Sequence, residues 1–510
     1  MSPSPAATSS PPPVTSHGAW MALLAALLGW MFDGAEMGLF SMVGNSAVRD
    51  LLEETGNGAQ AGRWFGIIIA TFLVGAATGG VLFGWLGDRI GRVRAMSLSI
   101  LVYALFTGFG GIAQTVEQLA ILRFIASLGM GGEWSLGVAL VMEVWPNKSR
   151  AFMAGLIGAA SNVGFLLVGF LGLGLDALLE VQIPGWLAGL GLSTDTVSML
   201  TAHKGWRLMM MMGTAPALLT FLIRLFVPES HKWEEEHKTG STSNWVTADL
   251  LGVLIGAIGP ALIIAVWAYD FVGLAGQIAL TLAGLAIAIV GYTYPVVRYL
   301  QRSLVASGSL DRTAARLTIK LMLLGACLSG VALLGTWGSV QWASRWAGQL
   351  TNNELQSREW TQIWLAAGAI VGTLLAAMMG DWFGRRLSYF MLCILALGSA
   401  EFLYAMNTEY GNMFLFSSFL AGCFTASFYG WLPLYLPELF ATRVRATGQG
   451  FSFNFGRILA AVGTLQTGVL VDKVFDGSLP KAGMLMSLVY IIGMGIIWLA
   501  PETRGKPLPE

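Results

Sequence analysis

Gly87-Asp88-Arg89-Ile90-Gly91-Arg92 returns as Gly380-Asp381-Trp382-Phe383-Gly384-Arg385, 293 residues later. Glu143-Val144-Trp145-Pro146, with Arg150 close behind, returns as Glu438 with Arg445, 295 residues after Glu143. Two unrelated phrases with nearly one offset mark an internal duplication. Each copy sits at the end of a long apolar stretch. A duplicated bundle of membrane helices is the architecture of a secondary transporter.

Composition agrees with a membrane setting. Of 510 residues, 55% are hydrophobic and 11% charged, against about 25% charged in a soluble protein. Lys+Arg 29 balances Asp+Glu 29, which argues against nucleic acid as a partner. Cys327, Cys393 and Cys423 lie in apolar segments and read as packing residues. No His/Cys spacing suits a metal and no nucleophile–base pair stands out, so neither a cofactor nor an enzyme is expected. Residues 1–18 are rich in Pro, Ser, Thr and Ala and lack the basic start of a signal peptide. They read as a disordered tail.

Apolar spans fall near 19–44, 64–86, 95–112, 119–144, 151–175 and 206–227, then 250–272 and 278–297. Six more fall near 317–340, 360–379, 387–405, 413–436, 447–470 and 482–500, fourteen in all. Each is long enough to cross a bilayer. The repeat offset leaves the pair at 250–297 between the halves, as an insertion. The expected organisation is a tail (1–18), a six-helix bundle (19–228), a linker with the inserted pair (229–312), a second bundle (313–502) and a tail (503–510). Basic residues set the orientation. Arg89, Arg92, Arg94, Lys148, Arg150, Arg385, Arg386, Arg443 and Arg445 fall in loops on one side, and the opposite loops hold fewer. That places both termini in the cytoplasm of a multi-pass plasma (inner) membrane protein.

The loop Gly87-Asp88-Arg89-Ile90-Gly91-Arg92-Val93-Arg94 resembles the signature loop of the major facilitator superfamily. Glu143-x-x-Pro146-x-x-x-Arg150 and Pro501-Glu502-Thr503-Arg504-Gly505 are similar to the same superfamily. The resemblance covers nearly the whole chain and implies an all-α membrane protein of two six-helix bundles. Arg123-Phe-Ile-Ala-Ser-Leu-Gly129-Met-Gly131-Gly132-Glu133-Trp134 and Pro228-Glu229-Ser230-His231-Lys232-Trp233 resemble proton-coupled carboxylate symporters. The inserted pair resembles the bacterial sialic acid branch, and Gly456-Arg457 the aromatic-acid symporters. Asp33-Gly34-Ala35-Glu36 resembles the Asp-Gly-x-Asp of these families, with Glu for the second Asp.

An ionisable side chain inside a bilayer costs about 2.5–3.5 kcal/mol even on the lenient insertion scale. It therefore needs a partner, a wet cavity or a task. Asp33 and Glu36 are three apart and share a helix face. Two carboxylates that close repel when both are ionised, so one can hold a proton; the bland alternative is a pair of acids bonded to neighbours. Arg123 and Glu133 share the fourth span, about 15 Å apart, too far to pair with each other. The resemblance gives Arg123 a coupling role; a helix–helix tether is the alternative. Asp33, Glu36, Arg123 and Glu133 are thus the proton-coupling candidates.

Arg457 lies well inside the thirteenth span. A buried guanidinium is a bidentate receptor for carboxylate, which makes Arg457 the candidate to hold an anionic substrate; a salt bridge to Glu401 or Asp33 is the alternative. Trp134, Tyr429, Trp431, Asn162, Asn454 and Gln341 supply aromatic walls and polar tips for an organic substrate. Interfacial belts and interhelical bonds explain such residues too. At the cytoplasmic ends, Asp88 and Asp381 can dock on helix N-termini. Arg92 and Arg385 can reach Glu143 and Glu438. With Arg150 and Arg445 these residues form a candidate gate, as the superfamily resemblance implies; topology alone is the alternative. The fifth span lacks the Gly-Pro pair of antiporters, which favours symport.

These residues predict proton-coupled uptake of a small organic anion, a sialic acid or another carboxylate, by a monomer in the lipid bilayer. A proton-coupled sugar or neutral-metabolite carrier, in which Arg457 would be structural, is the alternative. A non-transporting nutrient sensor of the same fold is another.

Overall fold

Gly91 and Gly384 end the two signature loops at φ +111° and +88°. Only glycine enters this backbone region without strain. Each turns the chain sharply, so Ala61–Ile90 (α2) is followed at once by Arg92–Gly110 (α3), and Ser357–Phe383 (α10) by Arg385–Met406 (α11). The computed structural model describes residues 16–53, 60–145, 149–214, 223, 226–269, 271–306, 313–352 and 354–509. Every regular element among them is a helix. The expected tail 1–18 falls almost wholly outside the described residues, as do Pro146, Lys148 and much of the span 206–227.

The first half contains Ser16–Glu53 (α1), α2, α3, Val116–Val144 (α4), Arg150–Ala177 (α5) and Thr194–Met212 (α6). The Thr115 hydroxyl caps α4 by accepting from the Gln118 N–H. Leu250–Tyr269 (α7) and Leu274–Ala306 (α8) follow, then Thr313–Gly338 (α9), α10, α11, Asn412–Thr425 (α12) and Phe428–Tyr435 (α13). Arg445–Val469 (α14), Leu479–Ser487 (α15) and Val489–Ile496 (α16) complete the chain.

Twelve helices among the described residues are long and apolar enough to cross a membrane. Helix α14 is not one of them, although it runs 25 residues. It carries Gln449, Ser452, Asn454 and Arg457, all buried. A helix wrapped by protein on all sides needs no apolar coat, so its hydropathy is a poor guide to its place. The halves meet along two seams, α2 against α14 and α5 against α10.

Candidate functional site

Two groups of charged side chains bear on the site, one at the loop end of the bundles and one near the middle of α14. At the loop end, Glu143 closes α4 and receives two guanidiniums. Arg92 Nη2 lies 3.1 Å from its Oε1, and Arg445 Nη1, from the other half, 2.8 Å from the same atom. Arg92 also holds Asp88 at 2.8 Å. Asp88 reaches across the seam to the start of α14. It accepts the Thr447 N–H at 2.9 Å, the Thr447 hydroxyl at 2.6 Å and the Ala446 N–H at 3.2 Å. The first N–H groups of a helix lack intrahelical partners, so this carboxylate ties the halves together.

The second copy repeats the design in part. Arg385 lies 2.7 Å from Glu438 and 3.0 Å from Asp381. However, the Asp381 side chain is 40% exposed where that of Asp88 is 0%. Arg150, which starts α5, is buried within electrostatic reach of Glu438. Each half thus sends one arginine towards the other half's glutamate.

A third repeated phrase belongs to this set, and the sequence reading passed over it. Pro228-Glu229-Ser230 matches Pro501-Glu502-Thr503. Glu229 accepts the N–H groups of Arg92 and Val93, and Glu502 those of Arg385 and Arg386. The Ser230 hydroxyl donates to Glu143, and the Thr503 hydroxyl to Glu438 at 2.6 Å. The spacing here is 273 residues rather than about 294. The first half has an extra excursion, including the helix Ile183–Gly189, between α5 and α6, and this broke the offset. Burial pushes Glu229 above the ordinary carboxylate range despite its backbone donors. Burial also acts on Glu502, but the N–H groups of Arg385, Arg386 and Arg504 outweigh it and hold Glu502 below that range.

Near the middle of α14 lies a cavity of about 110 Å³. Trp30, Asn162, Phe165, Trp337, Gln341, Tyr429, Phe453 and Arg457 are among its walls. The Arg457 guanidinium sits 5.5 Å from the Phe453 ring centre. Its Nη1 has no hydrogen-bond partner among the described residues. Glu401 does not serve it; that carboxylate accepts from the Ser487 hydroxyl at 2.7 Å.

Asp33 and Glu133 lie behind the lining, within reach of each other, and Asp33 also within reach of Arg457. Glu133 Oε1 fills the space beside Gly29, one turn before Asp33 on α1. None of the four carboxylate oxygens has a hydrogen-bond donor among the described residues, and the buried Tyr103 hydroxyl nearby has no partner. Two acceptors facing each other can bond only through a proton.

Several expected partners differ. Asp33 lies beside Glu133 on α4. Glu36 forms an ion pair with Arg123, whose guanidinium also lies over the Phe40 and Phe72 rings at 4.0 and 4.7 Å. Residues three apart on a helix point some 60° apart, enough to send the two acids to different neighbours. Asn162, Gln341, Tyr429 and Arg457 line the cavity; Trp134, Trp431 and Asn454 do not. Trp134 stacks behind Phe453 with ring centres 3.7 Å apart. Trp431 packs on Tyr389 and Tyr435. Asn454 donates across the seam to the Gly131 carbonyl at 3.1 Å. Phe453, which lines the cavity, carries no polar signal in sequence.

Residues 19–253 and 352–510 match the family described as "Sugar (and other) transporter". A putative metabolite transport protein of Haemophilus influenzae is 26% identical, covering 97% of this chain and 99% of its own. The cis,cis-muconate transport protein of Acinetobacter baylyi is 24% identical over 94% of this chain and 93% of its own. Among solved structures, the proton:xylose symporter XylE of the major facilitator superfamily superposes with a TM-score of 0.68 at 19% identity. It covers 97% of this chain and 98% of its own.

Proposed function

Because the chain belongs to the family of sugar and other transporters, within the major facilitator superfamily, we propose that it is a proton-coupled symporter carrying a small organic carboxylate inward by alternating access. The family is one of carriers, not enzymes. We read fourteen spans, six plus two plus six, with both termini in the cytoplasm and the plasma membrane as its site. The break in the family match at 254–351 supports reading α7 and α8 as an insertion.

One observation carries the anion reading: among the described residues Arg457 is the charged one lining the cavity, and its Nη1 has no partner among them. A buried guanidinium left without an anion is costly, and a substrate carboxylate supplies one in bidentate form. Asp33 and Glu133 share the coupling proton. Arg457 lies between acids and cavity, so an anion that engages it weakens its attraction for Asp33. Proton and substrate thus favour each other's binding. Arg123 and Glu36 act as a tether rather than as coupling groups.

The walls limit the anion. Aromatic faces dominate, and Ser161, Asn162, Thr336 and Gln341 supply few polar tips. A small planar carboxylate satisfies such a site. A nine-carbon sugar acid brings more hydroxyl groups than these tips can meet, so sialic acid ranks below a planar acid. The muconate transport of the Acinetobacter relative supports that order.

The carrying gate is the loop-end cluster. With Asp88 on α14 and Arg445 on Glu143, this cluster holds the cytoplasmic side shut. The test is uptake of benzoate, nicotinate, cis,cis-muconate and N-acetylneuraminate into proteoliposomes, with and without an inward proton gradient. A planar acid accumulating only with the gradient is expected. Uptake of neutral sugars alone would make Arg457 a structural partner of Asp33.

A further inference from the structure

We propose that α7 and α8 are mechanically part of the first bundle, so that the first moving body extends through α8 rather than ending at α6. The inference rests on alternating access but not on the identity of the substrate.

Glycines make the pair one stiff unit. A side chain at Gly259 would run into the Gly284 backbone, and one at Gly291 into the Gly256 backbone. The helices touch backbone to backbone there, which leaves little room to slide. The Trp267 indole also donates to the Thr281 hydroxyl at 2.9 Å.

This unit is anchored to α2 at three levels. Near one end the Arg63 guanidinium lies 4.5 Å from the Tyr269 ring centre. In the middle, the buried Thr78 and Tyr292 hydroxyls are 2.7 Å apart. At the loop end Arg89 Nη1 donates to the Thr247 hydroxyl at 2.7 Å. Positions 63, 78 and 89 span about 39 Å of helix, so the anchors resist both tilt and translation.

The linker joins the same body. The Trp233 indole donates to the Asp88 carbonyl at 3.0 Å. Trp245 stacks on Tyr299 with ring centres 4.2 Å apart, and Arg302 forms an ion pair with Asp249. Towards the second bundle the pair lays apolar surface: α7 meets α14, and Ile264 packs against an apolar cluster in which Leu333, Ala460 and Ala461 of the second bundle join Phe72 and Leu73 of the first. Apolar faces can shear at low cost, whereas a buried hydroxyl pair must be broken to move.

Two cross-links in a protein freed of Cys327, Cys393 and Cys423 test this. Joining Thr78→Cys to Tyr292→Cys should leave carboxylate uptake within about two-fold of the uncross-linked protein. Joining Ile264→Cys to Ala461→Cys should abolish uptake, and reductant should restore it. Loss of uptake from the first link, or full uptake with the second, overturns the inference. If the cysteine-free parent takes up no acid, the transport reading fails separately, and spin-label distances decide. Lipid-facing labels at Leu282 and Ile121 should keep their separation when Asp88→Asn opens the cytoplasmic side, while Leu282 and Ile491 should change theirs. The reverse pattern, or two fixed distances while labels at Arg94 and Arg443 part, overturns it.

Discussion

The two buried charge clusters follow opposite rules. At the loop end the carboxylates are satisfied: Asp88 and Glu143 have Arg92, Glu143 also has Arg445, Glu438 and Asp381 have Arg385, and Glu229 and Glu502 accept backbone N–H groups. Beside the cavity the carboxylates of Asp33 and Glu133 have no donor among the described residues, and Arg457 Nη1 has no acceptor among them. Satisfied charges hold a structure in place. Unsatisfied ones await something the chain does not supply, which we read as a proton and an anion. The difference separates gate from coupling site more clearly than residue type does, since both clusters use the same acids and arginines.

The largest effect should come from the satisfied cluster. Glu143→Ala takes the carboxylate from Arg445 and leaves Arg92 with Asp88 alone, and removing one partner of a buried ion pair costs about 3–5 kcal/mol. Thermal unfolding of the purified protein should show a marked fall. Asp33→Asn, by contrast, removes an unsatisfied carboxylate and should leave the unfolding temperature unchanged or raised. Equal losses for both would erase the distinction.

Arg457→Gln comes next. Losing a buried charge-assisted pair costs about 2–5 kcal/mol, roughly thirty-fold or more in affinity. Arg457→Lys keeps the charge without the fork and should fall between. Protection against unfolding by the transported acid measures this apart from transport. Near-normal anion binding by Arg457→Gln would move Arg457 into the structural class.

A finer contrast lies inside the gate. Asp88 crosses to α14 and is fully buried, whereas Asp381 stays with its own half and is 40% exposed. Asp88→Asn should open the cytoplasmic side several-fold more than Asp381→Asn, read as cysteine labelling from that side. Equal effects would mean the two loops carry equal load.

The smallest effect is a difference in pH sign. Burial holds Glu229 above the ordinary carboxylate range in the closed gate. Closure therefore binds a proton, and mild acid should favour it until the pH falls below the exposed value. Glu502, held below that range by backbone donors after burial is offset, loses its grip as pH falls through its own lowered value. Labelling against cytoplasmic pH should thus shift in opposite directions in Glu229→Gln and Glu502→Gln. Shifts of the same sign would contradict the assignment.

Much of the fold was legible because duplication leaves two copies to compare. Gly91 and Gly384, Glu143 and Glu438 recur at a steady offset, and steady offsets survive only where both halves share a plan. The stretch 447–470 reads as an apolar span in sequence, yet helix α14 falls short of one by hydropathy, since Asn454 and Arg457 lower it. The site was less legible. Arg457, Tyr429 and Gln341 draw attention as polar or amphipathic residues in apolar stretches. Spacing cannot say which neighbour a side chain meets. Asp33 and Glu36 look paired in sequence, yet one turns to Glu133 on α4 and the other to Arg123 on the same helix. Phe453 was invisible because an aromatic residue in a membrane helix is ordinary until its neighbours are known.

The central claim is that Asp33 and Glu133 hold the coupling proton while Glu36 does not. Gradient-driven accumulation and counterflow exchange of one transported acid, measured side by side in proteoliposomes, test it directly. Asp33→Asn and Glu133→Gln should each lose accumulation and keep exchange, while Glu36→Gln keeps accumulation per folded molecule despite lower thermal stability. Full uphill accumulation in Asp33→Asn or Glu133→Gln, or its loss in Glu36→Gln alone, would contradict the account.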